Sequence, residues 1–307
     1  GCFPVADTMH LQFSRSVKSG AVQTLLDSLQ KSGMKTPAIA VSEDNGKVFR
    51  ISVKQGGAFP TFTFRKGAAE EDYILQIRPN EITAGSPGDA GLLHAVQTLR
   101  QLLRANCTDG ALPCLTIRDW PSLRWRAFQD DITRGPSPRM ETLTREVELG
   151  SYFKLNLFTY YMEYQFAFQK HPAIGPANGS LTAEELAALV KHAQPLGIDI
   201  LGNQQSFGHF ARILQHDPYA HLRETPSLLC PVKEESYQLL DDLYSEVCPL
   251  LPFPMFNVCC DETYGLGTGP SKELAEKIGV GGVYVAHLRR VHDLLKEKYG
   301  KRMMMWG

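Results

Sequence analysis

The feature that most constrains this chain is the order of its hydrophobic patterns after Leu123, where strand-like and helix-like segments alternate. LRWRAFQ, ending at Asp130 and Asp131, reads as a strand, and PRMETLTREVELGSYF as the helix behind it. KLNLFTYYMEYQF predicts the next strand and LTAEELAALVKHAQPLG the next helix. That helix opens with a capping box, Thr182 with Glu185, and has Leu181 placed as a hydrophobic staple. IDILGNQ predicts a third strand, with SFGHF directly after it. The helix ESYQLLDDLYSEV leads to a fourth strand, FPMFNVCC, and VYVAHLRRVHDLLKEKYG to a fifth, RMMMW. Units of this kind join parallel strands by right-handed crossovers. An open doubly wound sheet and a (β/α)8 barrel both accommodate the pattern. A dinucleotide fold is disfavoured, because no G-x-G-x-x-G follows the first strand. GLGTGPSK is not a phosphate loop either, since Ser271 and not Gly precedes Lys272. The barrel is the preferred reading.

Residues 1–121 carry a different pattern. GAVQTLLDSLQKSG predicts a helix. PAIAV, KVFRISV and DYILQI predict strands, and EITAGSPGDAGLLHAVQTLRQLLRAN a strand, a turn and a long amphipathic helix. Pro113 and Pro121 mark the seam. The expected architecture is therefore α/β: a small α+β domain over 1–121, then a TIM-barrel domain over 122–307. A (β/α)8 barrel takes about 250 residues. Residues 122–307 number 186 and hold about five strands, so an incomplete barrel is expected, lacking its C-terminal strands and leaving its first and fifth as open edges. The opening Gly1, with no signal peptide before it, reads as a processed or cut start.

Composition excludes some partners. A formal net charge of −1 gives no basic face for nucleic acid or an anionic membrane, and no apolar run reaches the length of a membrane span. The 7 cysteines show no C-x-x-C pair. Cys107 and Cys114 flank a short turn and could bridge in an oxidising compartment, whereas Cys259 and Cys260 read as small hydrophobes on opposite faces of a strand. Asn106-Cys107-Thr108 and Asn178-Gly179-Ser180 fit the glycosylation sequon. The compartment stays open, with a secreted or periplasmic setting preferred, and the oligomeric state is not readable.

In a barrel the residues just past the strands converge on one face. Here they are Asp130, Asp131 and Arg134; Tyr161, Glu163 and Tyr164; Gln205 and His209; Asp261 and Glu262; and Trp306. An acidic, aromatic mouth with few lysines suits a neutral polyol such as a sugar. Glycosidases need a carboxylic acid for the leaving oxygen and a second group for the oxocarbenium-like centre. No His-x-x-x-His or Glu-x-x-His cluster suggests a metal, and no cofactor is expected.

These residues also carry a resemblance. YILQI with TAGSPGDAGLLHAVQTLRQLL resembles the N-terminal domain of the family 20 glycoside hydrolases, the β-N-acetylhexosaminidases. PSLRWRAFQDDITR is similar to that family's first barrel strand, KLNLF to its second, SFGHF to its third-strand histidine motif and CCDETYGLGTG to its Asp-Glu motif. The resemblance implies retaining, substrate-assisted hydrolysis of a terminal N-acetylhexosamine from a glycan. Glu262 takes the acid/base position, and Asp261 the position that holds the 2-acetamido group. Arg126 matches the arginine that binds sugar hydroxyls, His209 the third-strand histidine, and Trp306 an aromatic of the acetamide pocket. Asp131 and Arg134 also sit on family positions and can pair with each other; Glu163 receives no role. Cys259 and Cys260 stand where glycines usually precede Asp-Glu, and the second-strand motif is similar to a less common branch. The alternatives are a non-catalytic carbohydrate-binding protein on this scaffold and a related glycosidase acting on another sugar.

Overall fold

The computed structural model describes residues 2–4, 10–14, 19–31, 38–42, 49–54, 62–106, 111–135 and 137–307. The chain divides into two compact units. Unit 1 holds residues 1–126 with 148–156 and 194–198, and unit 2 holds 127–147, 157–193 and 199–307.

Unit 1 contains β1 (Cys2–Pro4), β2 (His10–Ser14), α1 (Ser19–Lys31), β3 (Ala38–Ser42), β4 (Phe49–Lys54), β5 (Tyr73–Arg78) and β6 (Glu81–Ser86). α2 (Asp89–Asn106), β7 (Ala111–Pro113) and β8 (Leu115–Asp119) follow. Six strands form one sheet in the order β3-β2-β4-β6-β5-β8, antiparallel except for β2 with β3. Leu25 and Leu29 of α1, and Leu92, Val96, Leu99 and Leu103 of α2, recur at helical spacing and pack on Leu75, Ile77 and Ile82. TIRD, read from the sequence as part of the seam, is instead β8, paired along β5. A Cys107–Cys114 bridge falls outside the described residues, because Cys107 is not among them.

Unit 2 is built from β9 (Ala127–Asp131), α3 (Met140–Tyr152, whose last turns belong to unit 1), β10 (Leu157–Tyr161), α4 (Ala183–Ala193), β11 (Asp199–Asn203) and the short α5 (Ala211–Leu214). The hairpin of β12 (Arg223–Thr225) and β13 (Leu228–Leu229) comes next, then α6 (Glu234–Val247), β14 (Met255–Asn257), α7 (Lys272–Tyr299) and β15 (Arg302–Met304). Five strands pair in parallel in the order β9-β10-β11-β14-β15, which is their order in the chain. Right-handed crossovers that all step the same way place their helices on one face of the sheet. A doubly wound sheet reverses its order partway, and these five strands show no reversal. β10 is buried along its whole length, while the end strand β9 is largely exposed, with Phe128 at 42% against 2% for Phe158.

Local signals explain most boundaries. Thr182 Oγ1 accepts the Glu185 N–H at 3.1 Å and the Glu185 carboxylate accepts the Thr182 N–H at 2.9 Å, so the capping box forms. α7 begins earlier than its apolar pattern suggests and breaks at Gly279, whose φ of 76° only glycine adopts freely. Two expectations need correction. The first strand of unit 2 begins at Ala127 and not Leu123, and residues 124–126 are instead tied by Asn156, whose side chain accepts the Arg126 N–H and donates to Arg124 O. Cys259 and Cys260 lie beyond β14, because the Asn257 side chain accepts the Cys259 N–H at 3.0 Å and turns the chain out of the strand.

Candidate active site

Parallel register brings the carboxyl ends of the strands level: Tyr161 stands opposite Asp131, and Asn257 opposite Asn203 and Met304. The chain immediately past those ends supplies the site. Gln204 N–H donates to Asn257 O, Val258 N–H to Met304 O and Trp306 N–H to Cys259 O, so the first residues of the loops stay laced together.

Beyond β14 the backbone is held in an uncommon form. Cys259 (φ 59°), Cys260 (φ 62°) and Glu262 (φ 48°) all adopt the left-handed conformation, as does His209 (φ 57°) on the neighbouring loop. For residues with a Cβ this costs about 1–3 kcal/mol each, and it persists only where the surroundings over-determine it. Gly208 permits the close approach of these loops: a Cβ there would stand 2.3 Å from the Asp261 carbonyl oxygen. The glycine-rich stretch after Glu262 is anchored from a distance. Buried Glu224 of β12 accepts the N–H groups of Gly269 and Ser271, both at 3.0 Å, and the Ser271 hydroxyl at 2.7 Å.

The polar side chains form a connected set. Gln205 Nε2 donates to Asp261 Oδ1 and to the Tyr161 hydroxyl oxygen, each at 2.9 Å. The Tyr161 hydroxyl donates in turn to Glu163 Oε1 at 3.0 Å. His209 lies among the acids: Nδ1 is 3.3 Å from Glu163 Oε1, and Nε2 is 3.2 Å from Glu262 Oε2 and 3.5 Å from Asp261 Oδ2. The Nε2 atom is buried and these are ion-pair distances without hydrogen-bond alignment, so its bonding capacity is unspent. Arg134 completes the rim, with Nη1 2.8 Å from Asp131 Oδ2, Nη2 3.5 Å from Glu163 Oε1 and its guanidinium 4.9 Å from the Tyr161 ring centre.

Environment sets the protonation of several members. Partial burial works to raise the Asp131 pKa, but the Arg134 guanidinium and the N–H groups of Thr133 and Arg134 outweigh it and hold the carboxyl below its usual range. Burial lifts the Tyr161 phenol well above its ordinary value, which keeps the proton it donates to Glu163. Burial likewise pushes the Cys259 thiol up to about 12 and holds the Cys260 thiol well above its ordinary value, so neither supplies a thiolate. Among the described residues, no group of three or more His, Cys, Asp or Glu is arranged to hold a metal ion. No helix among them is long and apolar enough to cross a membrane.

Four of the five residues singled out from the sequence sit in this part of unit 2. Asp261 and Glu262 are adjacent with His209 between their oxygens, and Trp306 is bonded through its N–H to Cys259 O with its side chain 37% exposed. Arg126 belongs to unit 1. It precedes β9, and its guanidinium bonds Glu71 Oε1 at 2.5 Å and the carbonyls of Lys154, Leu123 and Arg124, all within unit 1. Its role came from the family resemblance alone; it stands one residue before β9, with its carbonyl accepting the Asn156 N–H at 3.1 Å. Arg134, Gln205 and Tyr161 are the further residues joined to the acids of this site. Their signal was their place just past the strands; Glu224 had none, because its partners lie 45 residues and more away.

The family model for domain 2 of glycosyl hydrolase family 20 matches residues 1–120. The β-hexosaminidase of Porphyromonas gingivalis is 21% identical, covering 99% of this chain and 43% of the relative. Hexosaminidase D of Bos taurus is 28% identical over 155 residues, 47% of this chain and 45% of the relative. The chitobiase of Flavobacterium johnsoniae superimposes on the whole chain with a TM-score of 0.79 at 22% identity, over 50% of its own length, which shows the fold. The chain thus spans about half the length of the relatives it matches. Residues 1–120 thus match the second domain of glycosyl hydrolase family 20, and the chain over nearly its whole length is similar to β-hexosaminidases.

Proposed function

We propose that the protein is an exo-acting β-N-acetylhexosaminidase that retains configuration and uses the substrate's own 2-acetamido group as nucleophile. In this reading residues 1–121 are the accessory α+β domain and residues 122–307 the larger part of a catalytic (β/α)8 barrel. The unreversed strand order of the parallel sheet supports the barrel. The observation that carries the functional reading is the pair Asp261–Glu262, one carboxylate fixed by Gln205 and the other half exposed beside His209.

The two acids have different tasks because they are held differently. Asp261, with Oδ1 occupied by Gln205, keeps lone pairs for the substrate's amide N–H and so turns the acetamide carbonyl oxygen toward the anomeric carbon. That oxygen bonds to C1 as the glycosidic C1–O bond breaks, giving an oxazolinium ion. Glu262 delivers its proton to the departing oxygen, then takes one from the water that reopens the ring at C1. His209, between Glu163 and Glu262, orients the acid and steadies its charge after the proton leaves. Prepositioning of an internal nucleophile is worth effective molarities of about 10⁵–10⁸ M, and the acid adds roughly 10²–10⁴ in rate. No protein nucleophile is needed, which agrees with thiols held protonated beside the site. Arg134, braced on Asp131 and Tyr161, is assigned to the sugar hydroxyls in place of Arg126, and Trp306 to the acetamide methyl.

The test compares hydrolysis of nitrophenyl N-acetyl-β-glucosaminide and nitrophenyl β-glucoside by the full-length natural protein. Cleavage of the acetamido sugar alone is expected. Equal cleavage of both removes the acetamide from the mechanism. Saturable binding of N-acetylglucosamine without turnover of either makes the protein a sugar-binding member of the fold.

A further inference from the structure

Two side chains that no step above uses stand behind the loops of the site. On the second part of α7, Tyr284 and His287 are three residues apart and therefore share a face. The Tyr284 hydroxyl donates at 3.0 Å to Cys260 O, the carbonyl directly before Asp261. His287 Nε2 lies 2.9 Å from Ser206 O, three residues before His209. A carbonyl only accepts, so Nε2 carries the proton. The ring is fully buried, which brings its pKa down to about 4, and its Nδ1 faces the Tyr237 hydroxyl at 3.0 Å, whose single proton also has Pro231 O within reach at 2.9 Å. Phe207 stacks on both rings, 3.9 Å from His287 and 5.9 Å from Tyr284, at 24° and 29°. One helix face thus grips both loops, and the loops meet each other where Gly208 approaches Asp261 O.

The grip explains how the left-handed backbone survives. His209 on one loop, and Cys259, Cys260 and Glu262 on the other, would relax to ordinary conformations if their anchors were lost. Relaxation at φ swings the side chain, and Glu262 and His209 are then no longer 3.2 Å apart. We infer that Tyr284 and His287 are positioning residues, a two-pronged clamp on Cys260 O and Ser206 O that sets the distance between His209 and Glu262. Its kinetic consequence rests on the reading of Glu262 as acid/base; its structural consequence does not.

The experiment uses Tyr284→Phe, which removes one hydroxyl, and His287→Phe, which keeps a stacked ring and removes the donor. Amide hydrogen exchange should quicken by about tenfold over 206–210 and 259–264 in each variant, with α4 unchanged. His287→Gln, whose amide can still donate, should restore the slower exchange. In turnover of N-acetyl-β-glucosaminides, phenyl leaving groups that need a proton should lose about tenfold in kcat. Dinitrophenyl groups, which leave without one, should keep the parent rate, and KM should change less than twofold. Unchanged exchange in both loops, or an equal loss with every leaving group, overturns the clamp. If the parent protein cleaves none of these substrates, the proposed function fails while the exchange result still decides the clamp.

Discussion

Two clusters of nearly the same ingredients occupy the two units, and they differ in how completely they are satisfied. In unit 1, Arg126 is bonded to Glu71, which is 3.8 Å from His94, while Lys154 donates to the Tyr73 hydroxyl at 2.8 Å and Asp119 at 3.0 Å. In unit 2, Arg134, Glu163, Tyr161, His209, Asp261 and Glu262 offer the same chemical kinds. The first set closes on itself, with every donor of interest aimed at an acceptor. The second leaves His209 Nε2 and Gln205 Oε1 buried without an aligned partner and Glu262 half open to solvent. Backbone form separates them too. Lys154 is left-handed (φ 61°), but it ends α3, where Leu155 N–H reaches back to Gly150 O and such a residue is ordinary. The four left-handed residues of unit 2 end no helix. A crowd of charges is common to both clusters, and unspent bonding capacity on strained backbone is what sets the candidate site apart.

Removing one member from each cluster breaks the comparison where it is weakest. Glu262→Gln should lower kcat by roughly 10²–10⁴. The urea midpoint should scarcely move, since an exposed substitution shifts stability by within about 0.5 kcal/mol; a large fall in midpoint would make the site a structural cluster like the other. Acid sharpens the contrast next. Burial brings His94 and His287 from 6.5 to about 4. The unfolded chain then binds more protons than the folded one between those values. Their stability is complete above 6.5 and drains away as the pH falls toward 4, by at most about 3 kcal/mol for each. His94→Gln should flatten that part of a stability–pH curve measured by urea titration; an unaltered slope would mean the ring is charged when folded. The smallest effect belongs to Arg126→Ala, about 2 kcal/mol off the folding stability once the partial exposure of Glu71 is allowed for. A raised KM with an intact midpoint would instead return Arg126 to the sugar.

What could be read in advance followed local chemistry. Thr182 and Glu185 announce a helix start because both partners lie within one turn. Asp261 and Glu262 are legible because an apolar strand runs straight into them. The start of β9 is not, because LRWRAFQ alternates as a strand should, while the side chain of Asn156, thirty residues on, bonds the backbone of Arg124 and Arg126. Cys259 and Cys260 look like strand residues until the Asn257 side chain turns the backbone. Glu224 and the Tyr284–His287 pair act through carbonyls and amides on other loops, and such links leave no periodicity to read.

The strand order of unit 2 bears on how the protein is made. As the chain leaves the ribosome, each new strand finds the one synthesised just before it as its template, and nothing already paired has to open to admit it. Growth proceeds at a single advancing rim, with short loop closures in place of distant ones. The chemistry is assembled in instalments on that rim: Asp131, then Glu163, then His209, then Asp261 with Glu262, and Trp306 after β15. A nascent chain halted before α7 would carry both acids yet lack the helix that grips their loop.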